Sequence, residues 1–78
     1  MKLVYDPRQN IAYLRLHEKT AQVQTLHLSD EMNVDIAPDG TIYGIELLNA
    51  NQQLRSEDQG NLVIVNEAVG DRREIPLG

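Results

Sequence analysis

Asp35 and Glu46 are the side chains in this sequence with the best claim to chemistry. They sit at the polar positions of two β-prone runs, Met32-Asn33-Val34-Asp35-Ile36 and Ile42-Tyr43-Gly44-Ile45-Glu46-Leu47-Leu48. If those runs pair across a turn at Asp39-Gly40, the two carboxylates lie diagonally on one face, within reach of a divalent cation or of each other as an acid/base pair. The plainer reading is preferred: both belong to the wetted side of a two-faced sheet. His17 and His27 have outward parity at the ends of neighbouring strand candidates, and with Asp30 or Glu31 they would resemble a metal site. Two ligands of unknown proximity leave surface histidines as the simpler account. No catalytic or cofactor-binding residue is assigned, no cofactor is expected, and the metal candidates stop at Asp35 and Glu46.

Other chemistries lack their residues. Gly40, Gly44, Gly60, Gly70 and Gly78 never approach a phosphate-cradling spacing. Ser29 and Ser56 have no nucleophile-elbow context. There is no cysteine, which removes disulfides, thiolate zinc sites and thiol nucleophiles together. Twelve Asp and Glu against seven Lys and Arg give a formal charge of −5, which argues against a general nucleic-acid binder held by phosphate contacts. Five of the carboxylates, Asp30, Glu31, Asp35, Asp39 and Glu46, fall in a stretch that holds no basic residue. Gly44 in mid-strand asks for a reason, either a kink or bulge, which is favoured, or the close approach of a ligand or another backbone.

Positioning any of these groups falls to a small sheet. With 78 residues, a single domain spanning 1–78 is expected, since a chain this short buries only about 60% of its unfolded surface. Leu3 to Asp6 and Ile11 to His17 flank Pro7-Arg8-Gln9-Asn10, a hairpin signal in which Pro7 presets the turn and Asn10 tolerates the left-handed conformation. Pairing Asp6 with Ile11 puts Leu3, Tyr5, Ala12, Leu14 and Leu16 on one side. After Glu18-Lys19-Thr20-Ala21, a third strand over Gln22 to Leu28 has Leu26 and Leu28 as inward anchors.

The second hairpin registers itself. A two-residue type I′ turn at Asp39-Gly40 pairs Ile36 with Tyr43, Val34 with Ile45 and Met32 with Leu47, and sets Asp35 opposite Gly44 and Asn33 opposite Glu46. A slip of one residue would drive the carboxylates into the core. Asn49 is then a helix N-cap, with Gln52 placed to complete a capping box and Leu54 as the main buried residue of a helix ending near Ser56.

Beyond the helix, Leu62-Val63-Ile64-Val65 is apolar on both faces, so burial on two sides is expected, inside the sheet or against another copy. Exposed, it would be an aggregation hazard, and these four residues are the expected interface. Gly70-Asp71-Arg72-Arg73 reads as a polar turn before an edge strand over Glu74 to Gly78. Arg72, Arg73 and Arg15 are expected to pair with carboxylates within the chain or between copies. That apolar run is far shorter than the roughly 20 residues of a membrane span. Asp6 and Pro7 precede any secretory h-region, so a cytoplasmic protein is expected.

The stretch Val4-Tyr5-Asp6-Pro7 through Ile11-Ala12-Tyr13-Leu14-Arg15-Leu16, then Val34-Asp35, Asp39-Gly40 and Ile42-Tyr43-Gly44-Ile45-Glu46-Leu47-Leu48-Asn49-Ala50, resembles the bacterial domain of unknown function 2283. The Asp-Gly turn leading into Gly-Ile-Glu-Leu-Leu-Asn-Ala is its most specific part. Ile36-Ala37-Pro38 stands where the family tends to have a more acidic approach to the turn, which lowers the case for a metal there. Residues from Arg55 onward fall outside the resemblance. The resemblance implies a small antiparallel sheet with a short helix and supplies no reaction. Some members are encoded beside small toxin-like proteins, which implies an antitoxin-like binding role.

The expected fold is α+β, mostly β: an antiparallel β-meander of four strands with one short helix and a further apolar strand. The expected function is an accessory or protein-interaction domain that self-associates, as a homo-oligomer, or covers a protein partner, with no nucleic acid and no membrane. The alternative is a small enzyme or a metal- or ligand-binding protein using Asp35 and Glu46.

Overall fold

A computed structural model describes residues 1–18 and 22–78; the expected connection through Lys19, Thr20 and Ala21 lies outside the described residues. The fold is mostly antiparallel β with one short helix. Five strands, one more than expected, form the main sheet: β1 (Lys2–Asp6), β2 (Ile11–Arg15), β3 (Gln24–Ser29), β4 (Met32–Ile36) and β5 (Ile42–Leu48). Their spatial order is β1-β2-β5-β4-β3, so β3, β4 and β5 run as a meander whose last strand returns to lie beside β2. A helix α1 (Ala50–Arg55) and a single 3-10 turn (Asp58–Gly60) lead to a separate two-stranded ribbon of β6 (Asn61–Asn66) and β7 (Asp71–Pro76). Among the described residues no helix is long and apolar enough to cross a membrane.

The first hairpin has the expected register, with Asp6 opposite Ile11, Tyr5 opposite Ala12 and Leu3 opposite Leu14. Its turn is built by Asp6, whose Oδ1 accepts the backbone N–H of Arg8 at 3.0 Å, and by Asn10 at φ 59°. In the second hairpin, Met32–Leu47, Asn33–Glu46, Val34–Ile45 and Asp35–Gly44 pair as the alternation requires.

The turn of that hairpin departs from expectation. Asp39 is not in the positive-φ region; Gly40 alone is, at φ 92°, and its N–H bonds to the Ala37 carbonyl at 2.9 Å. Pro38 fixes the first central φ near −65°, which suits a type I turn over Pro38-Asp39 with Gly40 supplying the left-handed step, and excludes type I′ there. The register then shifts: Ile36 pairs with Ile42, not Tyr43, and Tyr43 becomes the extra residue of a bulge. Its carbonyl is used twice, accepting the N–H groups of Leu16 at 2.8 Å and His17 at 3.1 Å.

Asn49 is the helix N-cap, but at φ 53° its side chain makes no capping bond, and no capping box with Gln52 forms. The cap comes from across the sheet. Asn10 Oδ1 accepts the N–H of Asn51 at 2.8 Å, and the Asn10 carbonyl accepts that of Ala50 at 3.2 Å. Tyr5 Oη donates to Asn51 Oδ1, so the first hairpin grips the helix by two side chains.

Leu3, Tyr5, Ala12, Leu14, Val34, Ile45 and Leu47 share the apolar face by register, yet among the described residues the buried apolar ones are small: Ala12, Val34, Ala37 and Ala50. The anchoring expected of the third strand fails. Leu28 is the extra residue of a bulge between His27 and Ser29 and is 60% exposed, while Leu26 faces Val34 from the sheet's edge. A six-residue helix covers too little of a five-stranded face to enclose larger side chains.

The ribbon is more open still. Its turn is Glu67–Gly70 and not Gly70–Arg73, because Asn66 Oδ1 accepts the N–H of Ala68 and Gly70 adopts φ 70°. Beyond its own ladder it is joined to the rest of the chain mainly at α1 and the 3-10 turn.

Candidate functional site

Two rows of side chains cross the polar face of the main sheet. One runs Val4, Tyr13, Glu46, Asn33, His27; the next runs Lys2, Arg15, Gly44, Asp35, Thr25. Tyr13 leans out of the first row into the second. Gly44 permits this: a Cβ there would collide with the Tyr13 hydroxyl and ring. The diagonal reach suits a long aromatic side chain, and covering a strand glycine with a neighbouring aromatic also shields the exposed backbone. Gly44 thus serves a close approach by a side chain, while the favoured bulge falls one residue earlier, at Tyr43.

The Tyr13 hydroxyl donates to Asp35 Oδ2 at 2.7 Å and the Thr25 hydroxyl donates to Asp35 Oδ1 at 2.6 Å. Asp35 is only 7% exposed, which overturns the wetted-face reading for this residue. A carboxylate so enclosed is tolerable because each oxygen receives a hydroxyl, and hydrogen bonds to a charged acceptor are worth roughly 1.5–3 kcal/mol each. The trio links β2, β4 and β3 over the top of β5.

Beside it, Asn33 Nδ2 donates to Glu46 Oε1 at 2.9 Å, which turns the Asn33 oxygen toward His27. His27 Nδ1 lies 2.8 Å from that oxygen and must carry the hydrogen. Tyr13, Thr25, Asn33, Asp35 and Glu46 line one open groove of about 360 Å³. The two candidate carboxylates therefore do share a site, and each accepts hydrogen bonds from neighbouring side chains.

The two histidines do not meet. His17 packs edge-on against Tyr43, with ring centroids 5.9 Å apart, while His27 is on β3 with Asn33 and Asp30. β5 and β4 lie between them, about 14 Å of sheet at the usual strand spacing. Among the described residues no three His, Asp or Glu side chains gather as metal ligands. The arginines find partners within the chain: Arg15 pairs with Glu18, Arg72 with Glu74 and Arg73 with Asp71.

Leu62, Val63, Ile64 and Val65 all lie on β6, in the ribbon and not in the main sheet. Ile64 is 46% and Val65 54% exposed, with Ile75 across the ladder equally open at 46%. Neither face of β6 is covered by its own chain to the extent that the residue types call for.

Sequence reasoning missed Tyr13 and Thr25 as the partners of Asp35, and Asn10 as the helix cap. A glycine in mid-strand one diagonal from a tyrosine was the available signal for the first. Thr25 carried none, because the register of β3 depends on a bulge.

Fold and site together define a small antiparallel sheet protein with a polar groove on one face and an open apolar ribbon beside it. The chain belongs to the family described as protein of unknown function (DUF2283), whose family model matches residues 2–51. That match ends where α1 begins and leaves the ribbon outside it. No curated protein and no solved structure matched the chain.

Proposed function

We propose that this chain is a self-associating interaction domain in which a second copy covers the apolar surface of the C-terminal ribbon. The surface area carries the reading. The chain exposes 5842 Å², whereas a compact monomer of 8.8 kDa exposes about 4,800 Å². The excess of roughly 1,000 Å² compares with the roughly 800 Å² that each partner contributes to a standard protein interface. The radius of gyration agrees: 14.1 Å, against about 11.5 Å for a compact chain of this length. An isolated two-stranded ribbon is at best marginally stable in water, so one carrying Leu62, Ile64, Val65 and Ile75 has a physical reason to find cover.

Light scattering on dilute protein tests this. Two or more copies are expected, and Ile64→Glu should lower the mass, because a charge on that surface must be desolvated on association. A wild-type protein that stays monomeric at tens of micromolar counts against the proposal, and recovery of a foreign protein in stoichiometric amounts would replace self-association by a heterologous partner.

The shared groove of Asp35 and Glu46 supports a second reading, binding of a small ligand or divalent cation. The hydroxyls already bonded to both Asp35 oxygens weigh against it. Calorimetric titration with magnesium, calcium and zinc, repeated on Glu46→Gln, decides it: heat that disappears in the variant would favour the groove.

A further inference from the structure

We propose that the outer edge of β1 is a second self-association surface, on which β1 of another copy pairs antiparallel about a two-fold axis that passes between the two Val4 residues. This rests on the reading above only in taking a second copy as the partner; the surface is a different one. β1 is the outermost strand of the main sheet, and it carries neither a bulge nor a proline. A straight edge of that kind presents unpaired backbone groups in register for another strand.

The two-fold imposes a strict rule. An axis normal to the sheet keeps each face on its own side, and residues opposite each other in an antiparallel ladder share a face, so the axis must pass between the two copies of one residue. Placed on Val4, it sets Lys2 opposite Asp6, Leu3 opposite Tyr5 and Val4 opposite itself. Each Lys2 then meets an Asp6, making two such pairs across the contact, and the apolar faces of the two sheets become continuous. Val4 is 51% exposed and Lys2 is exposed, so both are accessible. Asp6 takes the backbone N–H groups of Arg8 and Gln9 on Oδ1, with Arg8 Nε 3.5 Å from the same oxygen.

Of the other edges, those of β3 and β7 fail the same test, and β6 belongs to the contact proposed above. β3 is broken by its bulge between His27 and Ser29. On β7, an axis through Arg72, Arg73 or Glu74 sets that residue against its own like charge, and Pro76 removes a donor. With β6 covered as proposed above, a chain carrying two distinct contacts with copies of itself builds assemblies larger than a dimer.

The absence of cysteine allows a direct test. Val4→Cys places two thiols across the axis with Cα atoms about 4.5–5.5 Å apart, inside the range a disulfide spans. Mild oxidation of dilute protein is expected to cross-link most of it, while Gln24→Cys on the opposite edge stays mostly reduced. Adding Lys2→Glu to Val4→Cys should cut the cross-linked fraction about tenfold at low salt, since like charges then face each other twice. Circular dichroism checks that each variant folds.

Cross-linking at position 4 no greater than at position 24 overturns the β1 contact. If wild-type protein still scatters as more than one copy and Ile64→Glu lowers that mass, the ribbon reading survives alone. If position 4 cross-links and Ile64→Glu leaves the mass unchanged, the ribbon reading falls and the β1 contact stands.

Discussion

The main sheet and the C-terminal ribbon are built from the same material, antiparallel strands with β-branched and aliphatic side chains, and they end in different states. In the sheet, bonds tie one element to another: Tyr13 and Thr25 to Asp35, Asn10 to Asn51, Tyr5 to Asn51. In the ribbon, the side-chain ion pairs are Arg72 with Glu74 and Arg73 with Asp71, each two residues apart on one strand and exposed. Such pairs contribute at most about 1 kcal/mol and enclose nothing. A ladder of backbone bonds makes a strand pair; only a second layer makes a core. The sheet has a thin one in α1, and the ribbon has none of its own.

Adding a side chain at a glycine should separate the two regions most. Gly44→Val drives a side chain into Tyr13 and detaches its hydroxyl from buried Asp35, combining overpacking with the loss of a bond to a charged acceptor. A loss of about 3 kcal/mol is expected, lowering Tm by roughly 15 °C in a domain of this size. Gly70→Ala meets no atom within 4 Å and costs only its left-handed backbone, about 1 kcal/mol. Thermal unfolding that ranks Gly70→Ala as the worse variant would break the comparison.

Valine offers the next contrast. Val34 is 9% exposed and Val65 is 54% exposed. Val34→Ala should cost about 2 kcal/mol by urea unfolding of dilute protein, and Val65→Ala about 0.5 kcal/mol or less. Equal losses under conditions where the wild type is monomeric would mean that the ribbon has an internal packing partner.

How far this was readable from sequence follows the same division. The β1–β2 and β4–β5 hairpins were legible because local rules agreed with one another: Pro7 and Asn10 at one turn, strict alternation from Met32 to Ile36 at the other. The errors came where a residue outside the local pattern decided the outcome. Pro38 converted the turn, Tyr43 and Leu28 became bulges, and Asn10 displaced the local cap because a left-handed Asn49 points its side chain elsewhere. The site was half legible. Alternation put Asp35 and Glu46 on one face, but the burial of Asp35 depends on Tyr13 crossing Gly44 diagonally, a contact between strands distant in sequence.

The helix cap tests that long-range dependence. Asn10→Ala removes both the acceptor for the Asn51 N–H and a residue tolerant of φ 59°, for a loss of about 2 kcal/mol. Asn10→Gly keeps the backbone comfortable and loses only the cap, about 1 kcal/mol. If the two variants unfold at the same urea midpoint, the strain in Asn10 is not part of what holds helix and sheet together.

The smallest effect belongs to Asp39, which is exposed in the turn of the sheet. Its pKa lies below the ordinary 3.8 chiefly because the Thr41 backbone N–H donates to the carboxylate, with the Thr41 hydroxyl assisting. A carboxyl that is more acidic in the folded chain than in the unfolded one stabilises the fold above pH 3.8. That contribution is lost as pH falls through the lower folded value, so the turn should loosen only below pH 3.8. Thr41→Val removes the hydroxyl and keeps the N–H. The Asp39 carboxyl, followed by NMR, should then titrate at a higher pH than in the wild type while remaining below 3.8. A full return to 3.8 would assign the shift to the hydroxyl, and the backbone geometry of the type I turn would no longer account for it.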